Sequence, residues 1–158
     1  GGGQEQGRRS GTENLFGIIG FGASSLAAVK DLTDGVWERV AELRNKMEMR
    51  IADIASDAIF IGKDVKRLPN TSNFSVPGWK GETQVMNMDL AGFAISAGSA
   101  CSSGKVKSSQ ALNAMGYDDI TASSAVRISL GPSTTEHEVM NFVDAWSKAY
   151  KKYAVKTA

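Results

Sequence analysis

The chain has 158 residues, 42% of them hydrophobic, and 18 Lys and Arg against 17 Asp and Glu give a formal charge of +1. This suits one ordinary globular domain, excludes wholesale disorder and disfavours a nucleic-acid binder that relies on bulk charge. One Cys and one His leave no disulfide framework within the chain and no Cys/His structural zinc site.

Eight of the 17 glycines fall in the first 22 residues, and residues 1–12 read as a Gly-rich loop. Thr12 stands where a helix N-cap belongs, before Glu13 and the apolar run Leu15, Phe16, Ile18 and Ile19. The helix that follows is apolar on every side. Its interior Gly17, Gly20 and Gly22 each weaken it by ~1 kcal/mol relative to Ala, which predicts close packing against another element. The uncharged stretch 14–29 contains three Gly and two Ser and reads as too short to span a membrane. The polar first thirteen residues do not read as a signal peptide. A soluble, cytoplasmic protein is expected.

Thr33 or Asp34 is expected to open a second, longer helix. Val36, Val40, Leu43, Met47, Ile51 and Ile54 form its amphipathic stripe, and Glu42 and Lys46 form a favourable i,i+4 pair. Short strands are predicted at 58–61 and 73–76, a helix at 82–90 and a strand at 93–97. A polar loop follows over 98–108, then a brief helix ending at Gly116. In the last strand, 126–130, Val126, Ile128 and Leu130 share one face, so Arg127 points to the other. Thr135 and Glu138 mark a capping box for the final helix. Phe60, Phe74, Ile95, Ile128, Phe142, Val143 and Trp146 are the expected core. Helices and strands in this order indicate an α+β fold.

Four features could carry chemistry. Cys101 lies among Ser, Gly and Ala, with Lys105 and Lys107 nearby to lower its pKa. It reads either as a nucleophile or as a small buried hydrophobe. Arg127 reads either as an outward-facing residue or as a fork for a carboxylate. The Gly-rich opening reads as an anion site at a helix start or as a linking turn. His137 could complete a Cys–His dyad, but its place between Glu136 and Glu138 in a helix's first turn favours an ordinary surface residue.

Four segments resemble one known family in order. Gly1-Gly2-Gly3-Gln4-Glu5 with Arg9-Ser10-Gly11-Thr12-Glu13-Asn14 resembles the opening signature of pyridoxal-phosphate-dependent cysteine desulfurases. Leu68-Pro69-Asn70-Thr71-Ser72-Asn73 with Gly81-Glu82-Thr83 resembles a second motif. Gly98-Ser99-Ala100-Cys101-Ser102-Ser103-Gly104 resembles their cysteine loop, in its long Ser/Gly-rich form. Val126-Arg127-Ile128-Ser129-Leu130-Gly131 with Thr134-Thr135-Glu136 resembles their closing segment.

The resemblance implies the fold and the chemistry. The fold would be the small C-terminal α+β domain of the aspartate-aminotransferase-like (fold type I) enzymes, preceded by two helices. Residues 1–32 would be the tail of the large cofactor domain, 33–55 a linking helix and 56–158 the small domain. Pyridoxal 5'-phosphate would serve as electron sink in the full-length enzyme. Cys101 would take the sulfur of L-cysteine as a persulfide and leave alanine. Arg127 would hold the substrate α-carboxylate, and Thr12 the phosphate of the partner subunit's cofactor in a homodimer. Sulfur acceptors would be an iron–sulfur scaffold or a tRNA-thiolation relay. A selenocysteine lyase is a close relative in chemistry. A docking or dimerisation fragment without catalysis is the alternative of another class.

One departure stands out. The family's Schiff-base lysine lies in an S-x-H-K segment upstream of the first motif. Here the single histidine, His137, is followed by Glu138. The chain therefore resembles the C-terminal portion of such an enzyme, expected to be without the cofactor and inactive by itself.

Overall fold

A computed structural model describes residues 2–98 and 109–157. The chain divides into two compact units, Gly1–Val36 and Trp37–Ala158.

The first unit begins with a tight 3-10 turn, Gln4–Gly7, in which Glu5 and Gln6 both take left-handed backbone angles, φ 54° and 59°. Helix α1 follows at Leu15–Thr33. Its N-cap is Asn14, whose side chain accepts the Gly17 N–H at 3.1 Å, rather than the expected Thr12. Asn suits this position because its short carbonyl reaches an amide one turn ahead. None of the α1 residues is buried, and Phe16 is 92% exposed. A side chain at Gly20 or Gly22 would meet open space, while one at Gly17 would meet the capping Asn14. The close packing expected at these glycines is therefore not made within the described residues. The helix also continues past 29 to Thr33. Over its 19 residues it is long and apolar enough, by length and composition alone, to cross a membrane, which corrects the shorter estimate from the uncharged stretch. The Asp34 N–H closes the helix on the Lys30 carbonyl at 2.9 Å, and Gly35 turns the chain at φ 72°, an angle that disfavours side chains.

The second unit is the expected α+β arrangement. Helix α2, Val36–Ile54, buries Val40, Leu43, Met47 and Ile51, so its stripe faces the core. Strands β1 (Ile59–Phe60), β2 (Thr71–Ser75), β3 (Ser96–Ala97) and β4 (Ala125–Ser129) form an antiparallel sheet in the order β1-β2-β4-β3. Between them run α3 (Gly81–Leu90), α4 (Gln110–Ala114) and α5 (Asp119–Ser124), and α6 (Glu136–Thr157) closes the chain. Strand β3 is shorter than expected, and α5 was not expected at all. An Asp118 cap starts α5, with its carboxylate accepting the Thr121 N–H at 2.7 Å.

The core lies between one face of the sheet and helices α2, α3 and α6. Trp146, fully buried, meets Phe74 edge-on at 5.5 Å and stacks on Tyr150 at 5.3 Å. Its indole N–H donates to Gln84 Oε1 at 3.2 Å, and Gln84 Nε2 donates to the Trp79 and Ser124 carbonyls. A buried amide thus joins α3, α6 and the chain around β4 with its polar atoms partnered. Phe74, Ile128, Phe142, Val143 and Trp146 are buried as expected, with Phe60 and Ile95 partly buried against them. A second apolar cluster of Ile61, Leu112, Ala122 and Ala125 joins α4 and α5 to the sheet.

Candidate active site

The sheet places Arg127. Along β4, Val126 and Ile128 are buried while Arg127 and Ser129 are exposed. The alternation read from the sequence holds because Val126 and Ile128 belong to the core cluster. Arg127 is flanked by Asn73 on β2 and Ser96 on β3, its register partners on either side. Thr71 pairs with Ser129 on the same outer face. These strand neighbours are neutral hydroxyl and amide residues, so the sheet brings no carboxylate beside the guanidinium. Helices α4 and α5 cover the β1 end of this face, where Ser75 Oγ donates to the Thr121 carbonyl at 2.8 Å.

Much of the surrounding motif residues' work is scaffolding. A buried ion pair fixes the chain leading into β2. Arg67 donates to both carboxylate oxygens of Glu48 at 2.7 and 2.6 Å, and Ser72 Oγ donates to the same carboxylate at 2.6 Å. Burial pushes the Glu48 carboxyl up, but the bonds from Arg67 and Ser72 and the charges of Arg67 and Arg44 outweigh it. The net position is below the ordinary carboxylate value. Arg44 on α2 donates to the Leu68 carbonyl, and the Leu130 N–H donates to the Asn70 carbonyl at 2.8 Å. The 68–73 segment is thereby tied to α2 on one side and to the end of β4 on the other.

Gly81 serves a different need. A Cβ there would lie 2.7 Å from the Ala125 carbonyl and 3.0 Å from Ala97 Cβ. Only glycine lets the start of α3 approach the sheet this closely. After β4, the Gly131 N–H donates to Thr134 Oγ1 at 2.8 Å, and Arg39 on α2 donates to the Pro132 and Thr134 carbonyls. Thr135 and Glu138 then form the expected capping box, each holding the other's backbone N–H. Lys46 pairs with Glu136 at 2.8 Å, in place of the expected partner Glu42.

Thr12 belongs to the first unit, where it is exposed on the loop before Asn14. The Arg9 guanidinium organises that loop by donating to the Ser10, Gly11 and Thr12 carbonyls. Cys101, with Lys105 and Lys107, lies outside the described residues. His137 is exposed in the first turn of α6 with its Nε2 3.1 Å from Asn141 Nδ2. A groove of about 930 Å³ runs between α3 and α6, lined by Trp79, Lys80, Lys148, Lys152 and Tyr153 among others. Neither Thr12 nor Arg127 lines it, and its two helices cover the sheet face opposite Arg127. Among the described residues no cluster of His, Cys, Asp and Glu could hold a metal ion. Asn73 was legible only as a motif residue; its place beside Arg127 depends on a strand pairing that spacing did not reveal.

The family profile of aminotransferase class-V matches residues 2–142. Cysteine desulfurase IscS of Dictyoglomus turgidum is 35% identical over 152 residues, which cover 96% of this chain and 38% of that protein. Cysteine desulfurase NifS of Azotobacter vinelandii is 39% identical over 139 residues, 88% of this chain and 34% of that protein. A crystal structure of a NifS-like protein from Rickettsia africae superposes with a TM-score of 0.81 at 28% identity, covering 96% of this chain and 39% of that one. The chain thus spans a little over a third of the length of these relatives. With the profile matched along most of its length and the small-domain fold shared, the chain belongs to the aminotransferase class-V family.

Proposed function

We propose that this chain is the C-terminal part of a cysteine desulfurase, which converts L-cysteine to L-alanine and a persulfide on Cys101. The observation that carries the reading is Arg127. It is an exposed guanidinium on an open sheet face, flanked by neutral polar residues, in a chain similar to proteins named cysteine desulfurases. A guanidinium without a neighbouring carboxylate is suited to a ligand that brings one. Arg127 holds the substrate α-carboxylate by two parallel N–H donations and so orients the side-chain sulfur. The Cys101 thiolate attacks that sulfur; a new S–S bond forms as the C–S bond breaks, and a proton goes to the carbon that becomes the alanine methyl. Cys101 stands five residues after Ser96, the neighbour of Arg127, and five residues reach at most about 18 Å.

Pyridoxal phosphate, when bound, supplies the electron sink that labilises the substrate's bonds. One of its contacts fits residues present here: Thr12 offers an exposed hydroxyl on a loop turned by Gly11 at φ 88°, suited to a phosphate. By the family pattern that phosphate belongs to the partner subunit of a homodimer. The chain's eleven lysines include none preceded by His, so the covalent anchor lies elsewhere in the enzyme and the isolated chain does not turn over. The same arrangement accounts for α1. Its apolar surface is covered by the remaining length of the enzyme rather than by lipid. The sulfur passes from Cys101 to an acceptor protein in the cytoplasm, where the thiol stays reduced.

The test is alanine and sulfide production from L-cysteine with added pyridoxal phosphate. The 158-residue chain should give none, and the intact enzyme should give both. Cys101→Ser should abolish the persulfide, and Arg127→Ala should raise KM for L-cysteine by about a hundredfold, the range for losing a charge-assisted bidentate contact. Undiminished persulfide in Cys101→Ser sinks the nucleophile assignment.

A further inference from the structure

The outer face of the sheet holds a polar atom that the reaction above leaves unused. Asn73 stands directly opposite Arg127 in the β2–β4 ladder, so both side chains leave the same face with Cβ atoms about 5 Å apart. The Asn73 side-chain oxygen, Oδ1, is buried and accepts no hydrogen bond from the described residues. Buried side-chain acceptors are rarely left so, because an orphaned acceptor loses its water without gaining a partner. The donor best placed to answer it is its strand partner. A guanidinium carries five N–H groups, and a carboxylate held by the fork takes two of them. The rest remain for a neighbour.

We infer that Asn73 is a positioning residue for Arg127: its Oδ1 accepts a guanidinium N–H when a carboxylate occupies the fork, fixing the plane in which the carboxylate is held. The inference rests on the carboxylate role proposed for Arg127 and adds the group that makes that role specific. Without a ligand the exposed guanidinium samples many rotamers, and ordering it opposes binding. A carboxylate selects one rotamer, and the bond to Asn73 favours the same one. The oxygen is well fixed for this purpose. The preceding residue, Ser72, is fully buried and bonded to Glu48 from the other face, so the strand cannot turn to relieve the orphan. The ligand served is an amino acid presenting its α-carboxylate; a ligand without one gains nothing from Asn73.

The test uses the intact enzyme with isotope-labelled arginine and follows the Arg127 Nε–H resonance as L-alanine is added, alongside steady-state kinetics with L-cysteine. Asn73→Leu, which removes the acceptor at similar volume, should raise KM about tenfold, leave kcat within about twofold, and require about tenfold more L-alanine for half the resonance shift. In an Arg127→Ala background the same substitution should add nothing, because the two act as one unit. Asn73→Asp keeps an oxygen in place and adds a charge. It should move the Arg127 resonance to its ligand-bound position with no ligand present and weaken L-alanine binding by competing for the fork. The inference is overturned if Asn73→Leu leaves the L-alanine midpoint unchanged, if its effect persists undiminished without Arg127, or if Asn73→Asp leaves the free resonance where the wild type has it. A wild-type Arg127 resonance indifferent to L-alanine overturns the carboxylate site itself, and the role of Asn73 with it.

Discussion

Helices α1 and α2 are equally long, 19 residues each, and use their apolar side chains in opposite ways. In α2 most apolar residues fall on one stripe, with Val40, Leu43, Met47 and Ile51 buried, while the other side is mainly charged. In α1 they occur on every side, with Phe16, Phe21 and Leu26 largely exposed. The richer helix is therefore the one without a core. Apolar content alone does not bury a helix; the residues must be phased to a surface that is present. The second unit supplies such a surface for α2, and it holds the buried Glu48 carboxylate and Gln84 amide in closed hydrogen-bond sets.

The largest test of this contrast is Trp146→Ala. It removes an indole from a fully packed site and leaves Gln84 Oε1 without its donor, and should destabilise the second unit by about 4 kcal/mol in urea unfolding. Next is Glu48→Leu, which strands the partly buried Arg67 and Arg44 charges and should cost about 3 kcal/mol. The same carboxylate gives a pH signature. Because its folded pKa lies below the ordinary value, its stabilisation is complete above the ordinary carboxylate range and is lost as pH falls through the lowered folded value. The urea midpoint should decline over that acid window, and Glu48→Gln should flatten the decline. Gly81→Ala forces a methyl to within 2.7 Å of the Ala125 carbonyl and should cost about 2 kcal/mol by the same measurement. Thr135→Ala opens the capping box and should cost about 1 kcal/mol. Smallest is Phe16→Ser in α1, expected to change the unfolding of the second unit by less than about 0.5 kcal/mol. Its effect should appear instead in sedimentation of the isolated chain, as reduced self-association of an exposed apolar helix.

Period and capping were legible in the sequence where one element determines them. The α2 stripe, the outward turn of Arg127 and the Thr135–Glu138 box each depend on residues within a few positions. What the sequence hid depends on distant partners. Asn14 outcompeted Thr12 as a cap because only it stands one turn from a free amide. Helix α5 is too short to show a period and owes its place to the Asp118 cap and the Ile61–Leu112–Ala122 cluster. Strand β3 shrank to the two residues that β4 pairs. Lys46 chose Glu136, 90 positions away, over a neighbour on its own helix. The pairing of Asn73 with Arg127 is of the same kind: each residue belongs to a recognisable motif, yet nothing local joins positions 54 apart.

The pleat of β2 gives Glu48 an influence beyond stability. Ser72 reaches back to that carboxylate while Asn73 faces forward, opposite the arginine in the ladder, and in a strand one orientation dictates the other. Glu48 thus decides, from behind the sheet, what the front displays. Sequence change should respect this division. Positions 48, 67 and 72 can drift only in concert, since any one altered alone loosens the aim of its neighbour. The front-face residues Thr71, Ser96 and Ser129 carry no such obligation and can be exchanged singly, retuning the surroundings of the guanidinium while the frame stays intact. New ligand preferences in this lineage would then arise at the front, and silent losses of binding at the back.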